Sequence, residues 1–295
     1  MYNLGQLAEK MTTNAHRDEM TLSVVTPTYN QADYLRETIE SVLSQDYPRI
    51  EYRVIDDGST DETPQVLAEY TERICWESQA NQGQTATINK GWQLATGDVL
   101  AWLNSDDTFL PGAVSEAMAF LSEHPDVGIV YGDTRFTRTD GTPIKETHRN
   151  TPFDYERFVI ECENPIPQPS AFIRRSVIED VGMLDPAYYY FMDWDLWIRA
   201  GLRHKIIYLP RCWSTYRLHA EAKSVSQLRR AAPELEYLYR KFFARDDIPT
   251  NLRRHERRAW ANMFFTTGTY YLHGGDPRAA RRSAFRALAT FPRLM

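Results

Sequence analysis

Val99-Leu100-Ala101-Trp102-Leu103-Asn104-Ser105-Asp106-Asp107 is the stretch on which the reading of the whole chain turns. An unbroken apolar run leads straight into an amide, a hydroxyl and two adjacent carboxylates. A short apolar run bounded by polar turn residues is the pattern of a strand buried on both faces. Two carboxylates at the end of such a strand are costly to desolvate unless something cationic neutralises them. A hard divalent cation with oxygen ligands, of the kind that carries phosphates, is a natural neutraliser. The same arrangement occurs earlier, where Val54-Ile55 runs into Asp56-Asp57-Gly58-Ser59. A third acidic pair, Asp193-Trp194-Asp195, lies in an aromatic setting further on.

The flanking sequence supplies the frame. A strand is expected over 21–26, stopped by Pro27. A helix over 30–46 follows, with Leu35, Ile39, Val42 and Leu43 at helical spacing and Asn30 or Asp33 to cap it. Residues 51–55 read as the next strand, and Thr60 or Asp61 caps a helix through Thr71 with Pro64 in its first turn. A short strand at 74–77, a turn at Asn81-Gln82-Gly83-Gln84 and a helix over 86–96 closed by Gly97 lead into the strand at 99–103. A helix over 111–124 and a strand over 127–132 complete the alternation. Strands and helices alternating through short connections predict a doubly wound, mostly parallel α/β sheet of Rossmann-like type. In such sheets the ligand crevice lies beyond the carboxyl ends of the strands, where both early acidic pairs fall.

After residue 133 the alternation weakens. A hairpin is expected over 135–145 around Asp140-Gly141, followed by a loop-rich stretch marked by Pro152, Pro165, Pro167 and Pro169. Short helices at 176–182 and 193–200 and a strand at 205–209 come next. From 225 the chain reads as wholly helical, with segments 225–245, 250–273 and 277–290. The resulting division is an extension at 1–20, a main domain at 21–224 with halves 21–132 and 133–224, and a helical region at 225–295.

Composition limits the function classes. A net charge of −6 argues against a general nucleic-acid binder. Cys75, Cys162 and Cys212 are odd in number and widely spaced, which fits buried thiols in a reducing cytosol better than disulfides or a zinc site. No segment approaches the roughly 18 apolar residues of a membrane span, and the first 20 residues lack an apolar signal core. A cytoplasmic protein is expected. Near the C-terminus, Tyr271 to Pro292 has the look of one tetratricopeptide-type helix hairpin. Its second helix carries Arg278, Arg281, Arg282, Arg286 and Arg293 beside Ala284, Phe285 and Leu288. Such a face either packs on the domain with its charges solvated or lies on an anionic membrane surface.

Taken in order, Val25-Thr26-Pro27-Thr28-Tyr29-Asn30, Asp56-Asp57-Gly58-Ser59-Thr60-Asp61, Asn81-Gln82-Gly83 with Asn89-Lys90-Gly91, Asn104-Ser105-Asp106-Asp107, Asp193-Trp194-Asp195-Leu196-Trp197-Ile198-Arg199 and Tyr216-Arg217-Leu218-His219 resemble the family 2 glycosyltransferases. The catalytic domain of that family has the GT-A fold. The resemblance covers residues 21 to 225, and its specificity lies in the ordered set. It implies that Pro27, Tyr29, Asn30, Asp56 and Asp57 hold the base and ribose of a nucleotide sugar, with Asn81, Gly83 and Asn89 beside them. Gly83 equally suits a plain turn.

The cluster at 104–107 matches the family's DxD position, which holds a divalent metal (Mn2+ or Mg2+) on the donor diphosphate. Here Asn104 stands in the first place; its amide oxygen can still bind sugar hydroxyls or water. The resemblance gives the metal to Asp106 and the positioning of the sugar or the site to Asp107. Asp193 lies at the catalytic base, preceded by Met192 where family members often have Glu, and Asp195 is read as an N-cap. His219 is implied at the metal or diphosphate, Arg217 and Lys223 at phosphate oxygens, and Gln168 on the acceptor side.

These readings imply an inverting, metal-dependent transferase that uses a nucleoside diphosphate sugar, UDP-type favoured, and a glycan or lipid-linked acceptor, in surface polysaccharide or glycoconjugate biosynthesis. Asn104 and Met192 leave a catalytically inactive nucleotide-sugar-binding protein as the alternative. A nucleotidyltransferase is disfavoured because the first strand lacks a Gly-rich, Arg-containing phosphate loop.

Overall fold

The computed structural model describes residues 20–148, 150–219 and 228–292. The extension at 1–19, Lys223, Arg293 and the expected boundary at 224/225 lie outside the described residues. One mixed sheet runs through the centre, in the order β3-β2-β1-β4-β8-β6-β9-β5 with β7 paired to β6. Its first part is the parallel run β3 (Cys75–Ser78), β2 (Ile50–Asp56), β1 (Leu22–Thr28) and β4 (Val99–Trp102). β8 (Ala171–Arg174) then joins β4 to β6 (Val127–Thr137), antiparallel to both. β6 pairs in parallel with the long β9 (Lys205–Arg217) and antiparallel with β7 (Pro143–His148), and β5 (Thr108–Phe109) closes the far edge on β9.

The apolar run that opened the sequence reading explains why this sheet is covered on both sides. In β4 and the residue after it, Val99, Ala101 and Leu103 belong to one buried cluster, whereas Leu100 and Trp102 belong to the other. Alternation with every position apolar is what a strand sandwiched between helical layers requires. On one face, Leu22, Val24, Val99 and Ala101 meet α1 (Ala32–Leu43), α2 (Thr63–Ala68) and α4 (Ala113–Glu123). On the other, Val25, Leu100 and Trp102 meet α3 (Gln84–Leu94), α5 (Tyr155–Glu161), α6 (Arg175–Val181) and α7 (Met192–Gly201). The C-terminal helices α8 (Leu228–Phe243), α9 (Thr250–Arg254), α10 (Glu256–His273) and α11 (Pro277–Thr290) join this second cluster through Leu235, Tyr239, Leu252, Met263 and Ala287. α3 comes so close to β1 that a Cβ on Gly91 would lie 2.4 Å from Val25 Cγ1.

Several expectations are corrected here. β1 does not stop before Pro27 but runs to Thr28, with Pro27 opposite Ile55 of β2. Its missing N–H loses nothing, because β4 accompanies β1 only as far as Val25. Neither Asn30 nor Asp33 caps α1. Asp61 does, with one oxygen accepting from Ala32 N–H (3.1 Å) and the other from Thr63 N–H at the start of α2 (3.0 Å). The proline-rich stretch contains both α5 and the strand β8. Gln168–Ser170 forms one 3-10 turn there and delivers the chain into β8. The strand expected over 205–209 continues to Arg217, and the helix expected over 250–273 breaks at His255 into α9 and α10. Of the three free cysteines Cys162 is buried, but Cys75 is exposed. No helix among the described residues is long and apolar enough to cross a membrane.

Candidate active site

Beyond the carboxyl ends of β1, β2 and β4 lies a cleft of about 730 Å³. It gathers Pro27, Tyr29, Asp57, Asn81, Gly83, Asn104, Asp106, Asp107, Gln168, Asp193 and His219 from seven separate stretches of chain. Asp56, Asn30, Asn89 and Arg217, all expected at the site, are not among its lining. Asp56 accepts from Ser59 N–H (2.9 Å) and Ser78 Oγ (2.8 Å), so it holds its own turn. Asn30, at φ +52, accepts from Thr60 N–H (2.7 Å) and joins the β1–α1 turn to the β2–α2 turn. Asn89 donates to Leu184 C=O (2.7 Å) and accepts from Leu184 N–H (3.1 Å), tying α3 to the segment before α7.

Asp57 does line the cleft, but most of its carboxylate is already engaged. One oxygen accepts from the Gln79 amide (2.8 Å) and Gln82 N–H (2.9 Å), the other from Gly83 N–H (2.8 Å). Of the roughly four acceptor directions on a carboxylate, three therefore shape the 79–83 turn. Gly83, at φ +87, stands at the N-cap of α3. Tyr29 is 47% exposed, enough to present a ring face to a planar ligand.

At the end of β4 the side chains form a connected network. Asn104 Oδ1 accepts from Gln84 Nε2 (2.7 Å), and its Nδ2 donates to Gln168 Oε1 (3.1 Å) and Asp107 Oδ2 (3.3 Å). Gln168 in turn donates to Trp102 C=O (2.6 Å). Asn104 thus acts as a hub, using both a donor and an acceptor where an aspartate would offer acceptors alone. Asp107 is buried and accepts from Arg217 N–H (3.0 Å). Burial first, and then the neighbouring Asp106 charge, push its carboxyl well above the ordinary range. Arg217 is only 3% exposed and outside the cleft lining. It donates to the backbone of Asp106 (3.1 Å) and Thr139 (2.8 Å) and pairs with Glu37, supporting the turn from behind.

Asp106 differs from its neighbour. Its side chain is 22% exposed, and its Oδ2 lies 3.0 Å from His219 Nε2. Among the described residues no group of three or more His, Cys, Asp or Glu side chains gathers into a metal cage. The protein therefore offers a carboxylate oxygen and an imidazole nitrogen in contact, a mixed donor set that suits a divalent transition metal better than Mg2+, whose ligands are oxygens.

Across the cleft, Asp193 lies in the first turn of α7 and accepts from Trp194 N–H (2.9 Å). Phe191, Trp194 and Tyr270 share its stretch of wall. Burial pushes its carboxyl up to about 7, against the opposing pull of the Trp194 and Asp193 N–H groups. Asp195 is not the N-cap of α7; that position is Phe191, which has no side-chain cap. Asp195 is instead buried in ion pairs with Arg199 (2.7 Å) and Lys241 (3.0 Å). Met192 points its sulfur at Thr85 Oγ1 (3.0 Å) on α3, so it closes a packing contact. Tyr189, Tyr190 and Tyr270 also line the cleft and were missed by the motif reading. The first two lie next to Phe191 in an aromatic run, which is the one local signal they gave.

In open α/β sheets the ligand crevice lies past the carboxyl ends of the strands, and here the acidic side chains gather in that crevice. The family described as Glycosyl transferase family 2 matches residues 23–182, and the chain belongs to that family. It is similar to an uncharacterized glycosyltransferase of Rickettsia prowazekii, with 27% identity over 68% of this chain and 64% of that one. An uncharacterized glycosyltransferase of Nostoc is 29% identical over 70% of this chain and 67% of the relative. The match thus spans less than two thirds of the Rickettsia protein. Among solved structures, S. aureus TarS (residues 1–349, in complex with UDP-GlcNAc) superposes with a TM-score of 0.60 at 19% identity, covering 90% of this chain and 91% of that one. A mannosyltransferase from Pyrobaculum calidifontis, in complex with GDP-Man and Mn2+, gives 0.62 at 20% identity over 94% and 76%. These likenesses establish the GT-A fold.

Proposed function

We propose that the chain is an inverting glycosyltransferase that moves a sugar from a nucleoside diphosphate sugar, of UDP type, to an acceptor hydroxyl on a glycan or lipid-linked glycan. The observation that carries this reading is the meeting of Asp57, the Asp106–His219 pair and Asp193 in one cleft. On this reading residues 21–132 hold the nucleotide sugar, 133–224 face the acceptor and 225–295 form a supporting helical region. Tyr29 stacks on the base, and the turn shaped by Asp57 borders the nucleoside. Asp106 and His219 hold a divalent cation. When bound, the cation supplies charge neutralisation for the departing nucleoside diphosphate. Asn104 orients the sugar hydroxyls and Gln168 borders the acceptor, while Asp107 and Arg217 keep the turn in shape.

Asp193 takes the proton of the acceptor hydroxyl as that oxygen bonds to the anomeric carbon. The bond from that carbon to the diphosphate breaks on the opposite face, and the nucleoside diphosphate leaves with the electron pair. A carboxyl titrating near 7 is well matched to the work, since a general base acts best when its pKa lies near the working pH. A panel of UDP- and GDP-sugars incubated with and without Mn2+ tests the reading. Metal-dependent release of nucleoside diphosphate is expected. Donor binding without turnover on any acceptor would leave the inactive nucleotide-sugar binder in its place.

One surface observation favours peripheral contact with an anionic membrane. Phe285 is 72% exposed on α11, on the same helix as exposed Arg278, Arg281 and Arg282. Arg286 is already engaged with Glu236 (2.7 Å) and lies over Phe264. Sedimentation with vesicles containing anionic lipid, against neutral vesicles, decides this point.

A further inference from the structure

α8 presents Glu234 and Lys241 seven residues apart, hence on one helix face. Both reach the segment Asp185–Asp195, which carries Asp193. Glu234 Oε2 accepts from three consecutive backbone N–H groups, those of Tyr189 (3.1 Å), Tyr190 (2.7 Å) and Phe191 (3.4 Å). Lys241 Nζ donates to Asp185 Oδ2 (2.8 Å) and Asp195 Oδ1 (3.0 Å), and lies over the Tyr188 ring. We propose that Glu234 and Lys241 of α8 are positioning residues for transfer, splinting the Asp185–Asp195 segment so that Asp193 meets the acceptor hydroxyl in one fixed geometry.

The physical need is clear. α7 begins with no side-chain cap of its own, and the N–H groups at a helix start need acceptors. A carboxylate is the favoured one, because the helix dipole makes that end positive. Glu234, from another helix, accepts from the N-cap residue Phe191 and from the two residues before it, 43 to 45 residues away in sequence, and so fixes the backbone that enters α7. At the other end, Lys241 bridges Asp185 to Asp195, and Asp195 also holds Arg199. Arg199 donates to the carbonyls of Val181 (2.6 Å), Gly182 (2.9 Å) and Met183 (2.9 Å). The segment is thereby fixed before, across and after the turn that leads to Asp193. Neither Glu234 nor Lys241 lines the cleft, so their effect runs through the backbone they hold.

The proposal rests on Asp193 as the base, and the test separates the two. In the full chain, E234A is expected to raise hydrogen exchange at the Tyr189–Phe191 amides. It should also lower kcat about tenfold while donor KM stays within about twofold, since small misplacements of reacting groups are that costly. E234Q keeps an acceptor oxygen and should recover kcat to within about threefold of wild type. K241M, which acts at the other end, should lower kcat in the same manner if E234A proves too unstable to assay. Wild-type kcat in both E234A and K241M, or faster exchange with no loss of kcat, overturns the positioning role. The identity of the base is tested separately by D193N, whose retained activity would remove Asp193 without touching the exchange result.

Discussion

The two sides of the cleft are built in opposite ways. At the end of β2 the carboxylates are secured by groups of their own or a neighbouring turn: Asp56 by Ser59 and Ser78, Asp57 by Gln79, Gln82 and Gly83. On the base side, Asp193 takes its hydrogen bond from Trp194 and otherwise lies in burial that raises its pKa, while its support comes from α8. The β2 end of the cleft is preformed by nearby turns, whereas the base side, like the Asp106–Asp107 turn held by Arg217 and His219, is assembled by distant parts of the chain. The difference teaches that a carboxylate used to shape backbone must be saturated, whereas one that must exchange a proton has to be left short of partners.

The sharpest way to break this comparison is Asp193→Asn. Transfer should fall by about a thousandfold, within the range ascribed to general acid–base groups, and donor binding followed by thermal shift should stay within about twofold. Undiminished transfer would assign the base elsewhere. The wild-type profile carries a matching sign. With the carboxyl pushed up to about 7, kcat should rise as pH passes through that value and then level off. Stability should move the other way. The folded state favours the protonated acid, so Asp193 contributes most below its unfolded pKa, and that contribution is lost as pH rises through about 7. The Tm of wild type relative to D193N should therefore fall between about pH 4 and pH 7.

Next in size is the pair at the end of β4. Asp106→Ala should weaken Mn2+-dependent donor binding by roughly 10- to 100-fold, measured by titration with UDP-sugar in the presence of the metal. His219→Ala should have a smaller effect in the same direction. Unchanged affinity in D106A would remove that residue from the metal. Asp57→Asn probes the saturated side: exchanging one acceptor oxygen for an amide disrupts hydrogen bonds to a charged group, a loss of about 2 kcal/mol. Chemical denaturation should register it, with kcat in saturating donor nearly unchanged.

What was legible in the sequence follows the same division. Strand, turn and helix succeed one another locally through residue 132, so the positions of Asp57, Asn104 and Asp106 followed from short-range pattern. Pro27 misled because whether a proline ends a strand depends on its neighbours, and β4 leaves β1 just before it. Prolines also disguised β8, a strand buried between β4 and β6. Asp56, Asn30 and Asn89 are polar residues within the motifs, and a motif cannot tell a side chain facing a cleft from one tying a turn. Glu234 and Lys241 gave no signal, since their partners lie 43 to 56 residues away. The ring of Tyr270 enters the cleft from a helix that the motifs never reach.

Two glycines of the same region give the smallest contrast and the most direct check on the packing argument. Gly91→Ala would place a Cβ 2.4 Å from Val25 Cγ1, in a helix–strand contact with no room to yield. Overpacking of this kind should destabilise by about 1–3 kcal/mol. Gly83→Ala meets nothing within 4 Å, so its penalty comes only from holding an alanine at φ +87 and ψ 156, a region almost confined to glycine, of order 1–3 kcal/mol. Denaturation midpoints of both variants should therefore fall below that of wild type, by strain in the backbone for G83A and by crowding for G91A. Donor affinity should respond more to G83A than to G91A, because Gly83 N–H is the donor to Asp57 Oδ2 and its turn borders the cleft, whereas Gly91 lies away from it. If G91A lowered donor affinity more than G83A did, the donor side would be held by its helix packing rather than by the turn that Asp57 organises.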